Sequence, residues 1–180
     1  MGDTGSMSDN LFTMLSAYRP GSSATPFENY CTTGLAYFLK RGHRMLTALI
    51  EHAAGIGSDG LAMVEVQPRM GEAGVADLLL TYEGGRRVLS EVQVEPGADE
   101  AMLPGLEAVA RQWSEQPVFL MLGLRSEGLP APWAPVTWFD VVDALDGDPD
   151  PVATEFCDFV LKDILGTGEA PLDEALSTNR

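Results

Sequence analysis

Three polar side chains interrupt otherwise apolar runs in GVADLLLTYEGGRRVLSEVQV, residues 74–94. Asp77 opens the first run, and Glu91 and Gln93 punctuate the second. Aliphatic residues on either side of the Gly84-Gly85 pair predict a two-stranded hairpin with a tight turn. Period-two alternation then puts Glu91 and Gln93 on one face of the second strand, and antiparallel pairing can bring Asp77 alongside them. Two neighbouring carboxylates repel unless a cation lies between them, so the pattern is a candidate Mg²⁺ or Mn²⁺ site. The same residues admit a plainer reading. Val88, Ser90, Val92 and Val94 alternate with Leu89, Glu91, Gln93 and Glu95, as in a half-buried strand with a polar outer face. Asp77, set among Val75, Ala76 and Leu78, fits that reading less well, because a buried unpaired carboxylate costs on the order of several kcal/mol.

The surrounding elements must hold these side chains in place. TPFENYCTTGLAYFLKRG, from residue 25, opens a helix: Thr25 is the candidate N-cap, Pro26 suits the first position, and Glu28 completes a T-x-x-E capping box. Leu35, Ala36, Phe38 and Leu39 supply its apolar face, and Gly42 marks a break or bend. Met45, Leu46, Leu49, Ile50 and Ala53 continue at helical spacing. GIGSDG is a loop, and LAMVEVQPRM, residues 61–70, reads as a strand leading to the hairpin. Residues 99–114 read as a helix weakened by Pro104-Gly105 and starting afresh near Pro104. PVFLMLGL, residues 117–124, is a continuous apolar run of the kind found in a strand covered on both faces. PVTWFDVVDAL gives a short strand running into a helical turn, DGDPDP an acidic connection, and VATEFCDFVLKDIL an amphipathic helix with Phe156, Phe159, Val160 and Ile164 on its apolar side. The predicted order is α-β-β-β-α-β-β-α, an α/β protein with a mixed central sheet flanked by helices. Residues 1–20 read as a flexible leader (with Met7 as a candidate start), 21–166 as the folded domain, and 167–180 as a frayed tail.

Asp77, followed after 13 residues by Glu91-Val92-Gln93, resembles the core of the PD-(D/E)xK nuclease superfamily. There an Asp on the second strand and a D/E-x-K on the third meet at the end of a hairpin. The resemblance takes in a Glu on the first helix, here Glu28, and the element order through the crossover helix to the 117–124 strand. It implies a restriction-endonuclease-like fold and metal-dependent hydrolysis of phosphodiester bonds in DNA, with RNA as a second substrate class. Asp77, Glu91 and the Val92 carbonyl would then hold Mg²⁺ or Mn²⁺, Glu28 would reach the metal through a water, and Gln93 would position the attacking water. Such a cation would acidify that water and neutralise charge on the scissile phosphate. Gln93 stands where the family carries Lys; Gln is found there in some active members, but it brings no charge to a phosphate. The crossover helix offers Gly105 and Val109 where relatives often place Gln and Tyr, with Arg111 and Gln112 nearby. The competing implication is a nuclease fold that has lost catalysis and serves as an interaction or regulatory subunit.

Charge constrains the partners. The chain holds 11 Lys+Arg against 27 Asp+Glu, a formal net charge of -16. Residues 1–94 carry 10 acidic and 7 basic side chains, and residues 95–180 carry 17 and 4. The second half repels polyanions and suits a basic protein partner. The densest basic cluster, KRGHR at 40–44, together with Arg69, Arg86 and Arg87, is a candidate phosphate-facing patch, although helix-end cations complementing the dipole explain Lys40 and Arg41 equally well. His43 and His52 show no metal-ligand or triad spacing and read as solvated. Trp113, Trp133 and Trp138 read as packing residues. Cys31 and Cys157 read as buried free thiols in a reducing cytoplasm, and no run approaches the ~18–20 apolar residues of a membrane span.

Overall fold

The computed structural model describes residues 26–57, 60–95 and 101–167. Helix α1 spans Pro26–Lys40. Pro26 sits where its missing N–H costs nothing, and Glu28 and Lys40 complement the two ends of the dipole. The expected cap at Thr25 lies outside the described residues. Gly42 ends the helical run outright, with a φ of 72°, and a separate helix α2 covers Arg44–Ala54. His43 starts α2 as its N-cap: its Nδ1 accepts the Leu46 N–H at 3.2 Å, and its Nε2 lies 2.8 Å from Asp148 Oδ2. The expectation of a solvated His43 is therefore corrected. A ring nitrogen can replace the usual Ser or Asp cap, and the half-buried position gives the other nitrogen a carboxylate partner. His52 is exposed, as expected.

Strands β1 (Leu61–Val66), β2 (Leu78–Tyr82) and β3 (Arg87–Val92) form an antiparallel meander. β1 is shorter than the run LAMVEVQPRM suggested. Gln67 turns to a φ of 52° and Pro68 has no N–H for a ladder, so the chain leaves the sheet and makes a 3₁₀ turn at Gly71–Ala73. Helix α3 (Leu103–Ala110) starts next to Pro104, as expected. It ends before Arg111, four residues short of the expected range, and the first residues of that range, Asp99 and Glu100, lie outside the described residues. α3 crosses over to β4 (Val118–Gly123), which runs parallel to β3, and β5 (Ala134–Thr137) runs parallel to β4. The result is a five-stranded mixed sheet in spatial order β1-β2-β3-β4-β5 with only β2 reversed.

The chain closes with α4 (Trp138–Leu145), α5 (Pro151–Phe159) and a π-helical turn at Val160–Ile164. α4 is a full helix where a helical turn was expected. Thr137 and Asp140 build its capping box, and Asp150 caps α5 from within the acidic connection. The order is thus α-α-β-β-β-α-β-β-α-α rather than the eight elements read from sequence.

Helices cover both sheet faces. Val64, Leu78, Leu80, Tyr82, Val88, Leu120 and Leu122 pack with α1, α2, α4 and α5 in the larger core. Leu79, Leu89, Phe119 and Met121 pack with Leu103, Leu106 and Ala110 of α3 in a second, smaller one. β4 is buried on both sides, as its unbroken apolar run implied. The approach of α1 to α5 depends on Gly34, where an added Cβ would stand 2.3 Å from the Phe156 ring.

Candidate functional site

β1, β3, β4 and β5 all point their carboxyl ends toward one edge of the sheet, and reversed β2 begins there. In open α/β sheets this edge is where ligands bind. Four of the five residues singled out from sequence gather at it: Asp77 just before β2, and Glu91, Val92 and Gln93 at the end of β3. Continuing the ladder register of Leu78 with Ser90 sets Asp77 opposite Glu91.

The polar outer face is overturned. Asp77 is 9%, Glu91 5% and Gln93 9% exposed. Alternation places Glu91 and Gln93 on the Leu89 face, which α3 covers. Buried carboxylates are costly, and the local backbone shows how they are held. The Gln93 N–H donates to the Leu122 carbonyl at 2.7 Å, so odd-numbered residues of β3 serve β4 and even-numbered ones serve β2. Val92 is next in line for β2, but the ladder has stopped at Ser90. Its N–H donates instead to Asp77 Oδ2 at 2.8 Å. In return the Asp77 N–H donates to Glu91 Oε1 at 3.2 Å. The two strand ends are thus clasped through their carboxylates. The Val92 carbonyl, on the same side of the strand as its N–H, faces the same gap.

Gln93 is fixed from two sides. Its carbonyl accepts the Trp138 indole N–H at 2.8 Å. Its side-chain Oε1 lies against Gly123, where an added Cβ would be 3.9 Å away. Glu28, 1% exposed, lies in the first turn of α1, in the layer that covers the sheet face opposite α3. Its charge, after burial itself, holds the Cys31 thiol well above the usual cysteine range. The connection to the hairpin runs through its neighbour. Asn29 Oδ1 accepts from Gln67 Nε2 at 2.7 Å, and the Gln67 N–H donates to the Asp77 carbonyl at 2.8 Å.

The donor set suits a hard cation. Two carboxylates and a backbone carbonyl are oxygen ligands of the kind that hold Mg²⁺ or Mn²⁺ together with several waters. Cys31 and Cys157 both lie in the larger core, and burial pushes both thiols up. Among the described residues no group of three or more His, Cys, Asp or Glu side chains is arranged to hold a metal. A cation at this edge would therefore rest on the Asp77–Glu91 pair, the Val92 carbonyl and water.

The other sequence candidates stand apart. Arg86 and Arg87 flank the hairpin turn, roughly 13 Å of strand away from Glu91, and the Arg87 guanidinium stacks over Trp113 at 5.0 Å. KRGHR lies at the far end of α1, roughly 18 Å of helix from Glu28. Of these cations only Arg69, in the exposed bridge to Val75, sits at the carboxylate edge. The basic side chains do not converge into one phosphate-facing patch. Arg111 pairs with Glu107 at 2.9 Å on the surface, and Gln112 bonds the Ala108 carbonyl, so neither enters the site. The sequence reading missed Asn29, Thr32 and Thr33, all buried on α1 beside Glu28, and Gln67. Their signal was a run of polar residues at i, i+3 and i+4 on an otherwise apolar helix face.

The chain matches no protein-family model, no curated protein and no solved structure. No helix among the described residues is long and apolar enough to cross a membrane.

Proposed function

We propose that the protein is a metal-dependent phosphodiesterase of the PD-(D/E)xK type that acts on DNA, with RNA as the alternative polyanion and the cytoplasm as its compartment. The observation that carries this reading is the clasp of two buried carboxylates where the hairpin opens at the carboxyl edge of the sheet. The order of hairpin, crossover helix and parallel strand, with the Glu28 helix tied to the same edge through Asn29 and Gln67, supports the restriction-endonuclease-like topology. Asp77, Glu91 and the Val92 carbonyl would hold Mg²⁺ or Mn²⁺, and Glu28 would order a water beside it. The cation supplies an acidified water and neutralises charge on the phosphate. Gln93, wedged against Gly123, orients that water through its amide.

A second reading has its own observation. One oxygen of Asp77 and one of Glu91 already accept a backbone N–H, as they would if the pair were retained to close the sheet. Gln93 adds no charge for a phosphate. The protein would then be an interaction subunit whose exposed acidic side chains on α4 and α5 (Asp140, Asp143, Glu155 and Asp158) meet a basic partner.

Plasmid cleavage in Mg²⁺ or Mn²⁺ decides between them. Wild-type cleavage that Glu91→Ala abolishes supports the enzyme. So does cleavage gained in Gln93→Lys, because a placed ammonium can add roughly 10²–10³ in rate. Folded wild-type and Gln93→Lys proteins that cut neither DNA nor RNA would refute it.

A further inference from the structure

Gln67 has the one positive φ outside glycine among the described residues, 52°. A side chain in that region is strained, and glycine or asparagine is the residue that relieves it. Neither would serve here. Gln67 makes two bonds at once: its N–H to the Asp77 carbonyl at 2.8 Å and its Nε2 to Asn29 Oδ1 at 2.7 Å. Glycine has no amide to reach Asn29, and asparagine is one methylene shorter. Asn29 is itself buried, and its carbonyl accepts the Thr33 hydroxyl at 2.8 Å, so the bond engages the ordered first turns of α1. The strain thus accompanies a cross-layer link between the helix that carries Glu28 and the strand end that carries Asp77.

We propose that Gln67, acting through Asn29, is a positioning residue that ties the first turn of α1, and with it Glu28, to the strand end that carries Asp77. The inference rests on the metal-centre reading above. Strain retained where the strand end that carries Asp77 is tied to the helix that carries Glu28 is the pattern expected of a preorganised site.

The test is Mn²⁺ affinity of the full chain by calorimetric titration, with Tm in EDTA read in parallel. Partners that orient a ligand are worth roughly 10–100-fold in metal affinity. Gln67→Gly and Gln67→Asn are expected to weaken Mn²⁺ binding by about that factor while Tm in EDTA falls by no more than about 2–4 °C, because relief of the backbone strain offsets part of the lost Asn29 bond. Asn29→Asp keeps the acceptor and is expected to keep the affinity. In a Glu28→Gln background, Gln67→Gly is expected to change affinity no further. If the wild type binds Mn²⁺ and Gln67→Gly matches it within about threefold, the positioning role is overturned while the metal centre stands. If affinity falls only in step with a Tm lowered beyond that range, Gln67 is structural and the proposal fails. If the wild type binds no Mn²⁺ at all, the metal centre falls and the proposal with it.

Discussion

Asp77 performs two separable tasks in this account, and two substitutions pull them apart. Its Oδ2 accepts the buried Val92 N–H at 2.8 Å, and in the proposed metal centre its charge would contribute to cation binding. Asp77→Ala removes both and leaves a buried donor without an acceptor, a penalty of about 1–3 kcal/mol. For a chain of this size each kcal/mol lowers Tm by about 2–4 °C, so Tm in EDTA is expected to fall by roughly 2–12 °C. Asp77→Asn keeps an oxygen for Val92 and loses only the charge assistance of the hydrogen bond, a cost within about 1 kcal/mol. The two variants should therefore differ in EDTA and agree in showing no Mn²⁺ shift. A ligand at 100 times its Kd stabilises by about 2.7 kcal/mol, so wild type gains roughly 5–10 °C at saturation and neither variant gains any. Differential scanning fluorimetry across a Mn²⁺ series reads all of this. If Asp77→Asn melts as low as Asp77→Ala in EDTA, the charge is part of the structural clasp. If Asp77→Asn retains the Mn²⁺ shift, the metal is held elsewhere, by the acidic side chains of α4 and α5. Either result refutes the reasoning.

Other outcomes follow from the packing. Gly34→Val should lower stability by about 1–3 kcal/mol in urea unfolding, because a Cβ alone would stand 2.3 Å from the Phe156 ring and overpacking forces helix α1 from α5. His43→Ala should cost about 1–2 kcal/mol through loss of the α2 cap and the Asp148 contact, whereas His43→Asn, a good cap, should recover about half by the same measurement. Burial first, then the charges of Asp146 and Asp158, pushes the Cys157 thiol up to about 12. A thiol that keeps its proton longer in the folded state gives stability that is complete below the unfolded pKa, near 9, and lost as pH rises through the folded one. Urea midpoints should therefore decline from about pH 9 toward pH 12, by about 1.4 kcal/mol per pH unit for each such thiol, and Cys157→Ala should flatten that limb by one proton.

Much of the scaffold was legible because it is written in local patterns. Gly84-Gly85 between two aliphatic runs marks the hairpin, and the unbroken run at 117–124 marks a strand covered twice. Pro104 marks where α3 begins. The candidate pair was legible as residue types, but its burial was not. VLSEVQV alternates identically whether Glu91 and Gln93 face water or a covered cavity. What decides is α3, whose Leu103, Leu106 and Ala110 close over Leu89 from a distant part of the chain. WFDVVDAL, with its aromatic and β-branched content, reads as no more than a helical turn, yet the Thr137–Asp140 capping box and burial of Trp138, Val141, Val142 and Leu145 make it a full helix. The Gln67–Asn29 bond spans 38 residues and depends on a backbone angle that no residue pattern announces in a glutamine.

The most direct test of the central claim is anomalous diffraction from crystals of the wild-type chain grown with Mn²⁺. The account predicts a peak between the Asp77 and Glu91 carboxylates, about 2.0–2.4 Å from an oxygen of each and within reach of the Val92 carbonyl. A gap without a peak, with Mn²⁺ found only on the acidic surface of α4 and α5, would contradict it.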